Sequence, residues 1–112
     1  MGLDKCVHLG AYLECKKTEG VDYDYYDSND RLYRVECYYK EDVDIDIFLP
    51  NKRNSGTVDF SEDGCACPVD KKMIAKHCAL FSDFYRDDIV ALDKIYGNKN
   101  IELKFGLVIH WM

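Results

Sequence analysis

Apolar residues recur at every second position in four separate stretches of this chain, and that period points to β-strands. Residues 6–16 place Val7, Leu9, Ala11, Leu13 and Cys15 on one side and His8, Gly10, Tyr12 and Glu14 on the other. Residues 31–40 repeat the pattern with Tyr33, Val35, Cys37 and Tyr39. Residues 42–49 set Val43, Ile45 and Ile47 against Asp42, Asp44 and Asp46. Residues 101–111 carry Ile101, Leu103, Phe105, Leu107, Ile109 and Trp111 on one side, with Val108 and Met112 on the other. Apolar residues on both sides predict that this last strand is central or covered on both faces. Pro50 stops the third stretch, and a short edge strand is expected over 57–60. The expected sheet core is Leu9, Leu13, Val35, Ile45, Leu103, Leu107 and Ile109.

The period changes after Pro68. Val69, Met73, His77, Leu80, Phe81 and Phe84 recur at helical spacing, and Ile89, Leu92, Ile95 and Tyr96 continue it after a break near Asp87. Pro68 suits a first helical position, where no N–H is needed, with Cys67 just before it. Gly97 and Asn98 supply a stop. Strands, helix and strand in that order predict an α+β fold. The expected form is an antiparallel sheet of about four to five strands, with one helical region over about 68–96 packed on one face. At 112 residues the chain is long enough for one domain, 1–112, and too short for two.

A hydrophobic content of 47% suits a packed core rather than a disordered chain. No run of apolar residues is long enough to span a bilayer. Residues 1–5 lack the basic start and apolar block of a signal peptide, so a cytoplasmic location is expected. In that compartment thiols stay reduced, and clustered cysteines serve as metal ligands or reactive groups rather than bridges. A disulfide framework of the six cysteines is the reading for an oxidising compartment.

Residues 64–78 concentrate that chemistry, holding Cys65, Cys67, His77 and Cys78. Zinc takes four thiolate or imidazole ligands at tetrahedral corners, and a tight Cys-x-Cys turn can supply two of them. His77 follows about three helical turns later, roughly 15 Å away along a helix, so the set needs a ligand from another element. Cys15, at the end of the first strand, is the first candidate, and Cys37 is the alternative. The candidate metal ligands are therefore Cys15, Cys65, Cys67 and His77, with zinc as the candidate cofactor. Cys37 and Cys78 fit better as packing residues. Cys67 at a helix start would favour thiolate, which makes a reactive dithiol the rival use. Its spacing is not Cys-x-x-Cys, and no βαβ pattern precedes it. His8 and His110 have no partner that the sequence can place beside them, so no catalytic set is assigned.

The net charge of -6 is local. Asp22, Asp24, Asp27 and Asp30 fall in one window without a base, and Glu41, Asp42, Asp44 and Asp46 fall in another. Alternate carboxylates on a strand stand about 7 Å apart. Such a row can take the place of phosphates before a basic groove, or serve simply as a solvated face that blocks aggregation. Tyrosines are favoured interface anchors. The candidate partner-binding residues are Asp22, Tyr23, Asp24, Tyr25 and Tyr26 in the loop, with Asp42, Asp44 and Asp46 on the strand. Lysines and arginines occur in scattered pairs, and no glycine-rich phosphate loop exists, which speaks against direct nucleic-acid binding. The expected function is a small acidic interaction protein, zinc-stabilised, that binds a basic partner such as a nucleic-acid-binding protein as an inhibitor. The alternatives are a thiol- or metal-dependent enzyme using Cys65 or Cys67, and a structural subunit of a larger assembly.

Overall fold

A computed structural model gives the fold and describes residues 5–21, 32–36, 41–49, 58–59 and 69–111. The arrangement is α+β, as expected: an antiparallel sheet with helices packed against it. The strands are β1 (Lys5–Lys16), β2 (Tyr33–Glu36), β3 (Val43–Phe48), β4 (Val58–Asp59) and β5 (Ile101–Trp111). The helices are α1 (Lys71–Phe84) and α2 (Arg86–Tyr96), followed by a short 3-10 turn at Asn98–Asn100.

β1 organises the sheet. Along one edge it pairs with β5 in unbroken register, from Lys5 opposite Trp111 to Cys15 opposite Ile101. Along its other edge it meets β4 at His8 and Leu9, then β3 from Tyr12 to Lys16. β2 lies outside β3. The central strand is thus β1 rather than β5, although Val108 on the second face of β5 is buried, so the alternative expectation of cover on both faces holds at that residue. Among the described residues β5 pairs with β1 alone. Coverage also fades along it. Ile101 and Phe105 are half-buried, whereas Leu107 is 59% and Ile109 49% exposed. Leu103, Leu107 and Ile109 therefore drop out of the expected core, and Val35 is only half-buried. Leu9, Leu13 and Ile45 hold their places in it.

The helices cover the side of β1 that carries Ala11, Leu13 and Cys15. These pack with Ile45, Ile47, Phe81, Tyr85, Leu92 and Tyr96, and Cys78, Ile89 and Ile101 close the margin. Each such aliphatic or aromatic side chain contributes roughly 1.5–3 kcal/mol by leaving water.

The single helical region expected over 68–96 is two helices, and it begins later. Val69 and Asp70 are not helical, and the Asp70 carboxylate accepts from Met73 N at 2.8 Å, satisfying one of the free amides of the first turn. With Asp70 as its cap, α1 starts at Lys71, three residues after the start that the Pro68 signal implied. Pro68 and Cys67 themselves lie outside the described residues. The break falls at Tyr85, which leaves the helical region while its N–H still donates to the Phe81 carbonyl. Asp87 and Asp88 then occupy the first turn of α2, where the helix dipole favours them. Gly97 ends α2 with φ 88°, a conformation that glycine adopts at little cost, and its N–H donates to the Asp93 carbonyl.

Candidate functional site

The strand register builds an acidic row that sequence spacing does not reveal. Glu14 on β1 stands opposite Asp46 on β3 and opposite Glu102 on β5. Three carboxylates therefore lie side by side across three strands, about 4.8 Å from one strand to the next. They occupy the sheet face away from the helices, because Glu14 alternates with Leu13 and Cys15, which face the core. Like charges directly opposite one another repel. Lys104 relieves that repulsion. Its Nζ donates to Glu14 Oε1 at 3.1 Å and lies 3.8 Å from Glu102 Oε2. The hydrogen bond to Glu14 and the nearby carboxylates push the Lys104 ammonium above the usual lysine range, against a smaller opposing effect of burial. Glu14 is only 5% exposed, Asp46 is half-buried and Glu102 is open.

The expected row of Asp42, Asp44 and Asp46 along one strand has a different form. Asp42 precedes β3 in the turn, exposed beside Glu41, and its carbonyl accepts from Lys17 N at 2.9 Å. A register shift at Cys15/Lys16 breaks the regular ladder there. Asp44 is half-buried and accepts a hydrogen bond from the Tyr96 hydroxyl at 3.1 Å. Asp44 thus ties β3 to the end of α2. The acids still gather at one end of the sheet, where β1 stops and β3 and β5 begin. Residues 14–20, 41–46 and 98–104 carry seven carboxylates against four lysines. Asp22, Tyr23, Asp24, Tyr25 and Tyr26 lie outside the described residues.

The metal-ligand candidates divide in the same way. Cys65 and Cys67 lie outside the described residues. Cys15 is fully buried among apolar side chains on β1, opposite Ile101. His77, on α1, packs its ring against Phe105, with centroids 5.7 Å apart. Ile101 and Phe105 are four residues apart on β5, roughly 13 Å along the strand. Cys15 and His77 therefore sit over different stretches of β5. His77 is 8% exposed, and its Nδ1 is buried without a hydrogen-bond partner. Burial, and then the charge of Lys76, hold the imidazole below its usual range. Burial pushes the Cys78 thiol up, which disfavours the thiolate form. Among the described residues no three His, Cys, Asp or Glu side chains gather as a metal site. Among them, too, no helix is long and apolar enough to cross a membrane.

Comparison with protein-family models, with curated proteins and with solved structures finds no match to this chain.

Proposed function

We propose that this domain is a protein-binding module that takes a basic partner surface at the acidic end of its sheet. The observation that carries this reading is the row Asp46, Glu14 and Glu102 across β3, β1 and β5. Lys104 neutralises one charge of that row from within. The exposed Glu41, Asp42 and Glu102 extend the negative field to solvent, where it attracts cations and repels phosphate backbones. Tyr23, Tyr25 and Tyr26 belong to the same reading as a source of aromatic anchors. A nucleic-acid-binding protein, whose groove is built for a row of anions, is the partner class that this charge fits, and the domain would act on it as an inhibitor. The test is fluorescence anisotropy with a labelled arginine-rich peptide and a labelled DNA duplex. The peptide should bind, more tightly at low salt, and the duplex should not. Duplex binding without peptide binding would overturn the reading.

A second reading rests on His77. Its buried, unpartnered Nδ1 belongs to a neutral imidazole, the form that ligates zinc. Under this reading His77 joins Cys65, Cys67 and a fourth ligand from another element around a stabilising zinc ion. Protein purified without chelator should then hold about one equivalent of zinc and lose it in His77→Leu. Less than about a tenth of an equivalent in the wild type removes the ion from the account.

A further inference from the structure

Among the described residues the sheet has a long edge strand, β5, paired on one side only. β5 runs eleven residues, against a usual strand of about five or six, and its ladder to β1 contains no register shift. Natural edges are blunted by a charge, a proline or a bulge. β5 carries Glu102 and Lys104 near its start, but residues 105–109, Phe-Gly-Leu-Val-Ile, contain no charge and no proline. On the helix side of that stretch Leu107 and Ile109 are open to water, whereas Phe105 is half-buried and Val108, on the other side, is buried. Leu103, Leu107 and Ile109 are 37%, 59% and 49% exposed, and all three point to the same side of the strand.

We propose that β5 pairs antiparallel with β5 of a second copy of this chain, joining the two sheets into one across a two-fold axis at Gly106. The strand itself supplies the self-complementarity. Gly106 is the midpoint of Ile101–Trp111, so an axis there pairs all eleven residues. On the helix side it sets Leu103 opposite the second copy's Ile109 and Phe105 opposite its Leu107. The exposed apolar residues thereby meet one another rather than water. On the opposite side Lys104 meets Val108, and neither Glu102 nor Lys104 faces its own kind. Parallel pairing in the same register would stack Glu102 on Glu102 and Lys104 on Lys104, which costs energy. The dimer would thus satisfy the outward backbone groups of β5 and bury the apolar patch in one contact. A shared edge about 37 Å long makes a small interface, so the association is expected to depend on concentration.

Sedimentation equilibrium under reducing conditions tests this. The mass should rise from 13.0 kDa toward twice that value as concentration increases to about 100 µM. Leu107→Lys should keep the protein monomeric at least about tenfold higher in concentration, with an unchanged circular dichroism spectrum. Ile109→Glu repeats the test if Leu107→Lys does not fold. Hydrogen exchange should show alternate amides of 101–111 gaining protection with concentration in the wild type only. Val90→Lys, on the exposed side of α2, should leave the dimer intact. A wild type that stays monomeric at about 100 µM overturns the proposal. So does a dimer that survives both strand variants, or one that is lost in Val90→Lys.

Discussion

The Tyr85 hydroxyl donates to the Phe48 carbonyl at 3.0 Å, and the Tyr33 N–H donates to the same hydroxyl at 3.3 Å. One side chain at the break between α1 and α2 therefore clamps the β2–β3 edge to the helices. The ring is fully buried, with Phe81 and Phe84 at 5.0 and 4.9 Å, both edge-on. Tyr85→Phe keeps the ring contacts and removes both hydrogen bonds. It should cost about 1–2 kcal/mol, measured by urea denaturation. A loss below about 0.3 kcal/mol would show that the clamp is not formed.

Leu13 and Leu107 look alike in the sequence and should behave differently. Leu13 is buried in the core, so Leu13→Ala should cost about 2–5 kcal/mol. Leu107 is mostly exposed, so Leu107→Ala should cost less than about 1 kcal/mol at concentrations where the chain is monomeric. Equal costs in chemical denaturation would mean that β5 is covered.

Much of this fold is legible in the sequence because it is local. Alternation finds β1 and β3, and it finds β5 but not its place. Helical spacing finds α1 and α2, and the Gly97 stop is where it was expected. Strand order is not local. An apolar strand such as β5 reads the same whether it lies at the centre or at the edge. The helix start was obscured by two competing signals, Pro68 and Asp70, and the structure uses the aspartate. The acidic row was out of reach for a different reason. Asp46, Glu14 and Glu102 are far apart in the chain, and only the register of three strands brings them together. The one available hint was Glu14, a charged residue inside an otherwise apolar or aromatic strand.

Lys104 should matter more than a surface lysine does. Its partner Glu14 is buried between two other carboxylates, although Lys104 itself reaches solvent. Lys104→Met should destabilise the fold by about 1–3 kcal/mol, because the buried Glu14 carboxylate loses a charged hydrogen-bond partner. Glu14→Gln in the same background should restore part of that loss. A double-mutant cycle measures the coupling. Strictly additive effects would show that the pair does not interact.

Stability should depend on pH through His77 in chelator-treated protein. The folded imidazole takes up its proton at lower pH than the unfolded one, which titrates near 6.5. The unfolded chain thus binds more protons as pH falls from there, so stability present above about 6.5 is lost as pH drops through the folded value. Urea midpoints should decline as the pH falls below about 6.5, and His77→Leu should flatten that decline. The same slope in both proteins would exclude His77 as its source.

The central claim is that the acidic end of the sheet, rather than net charge, binds a basic surface. It is tested by two double variants that remove equal charge. Asp42→Asn with Glu102→Gln changes exposed residues at that end, and Asp83→Asn with Asp87→Asn changes exposed residues on the helices. Affinity for a labelled arginine-rich peptide is measured at low and high salt. The first variant should bind about tenfold more weakly at low salt, the second should stay near wild type, and high salt should shrink the difference. Equal losses in the two variants, or no loss in either, would contradict the account.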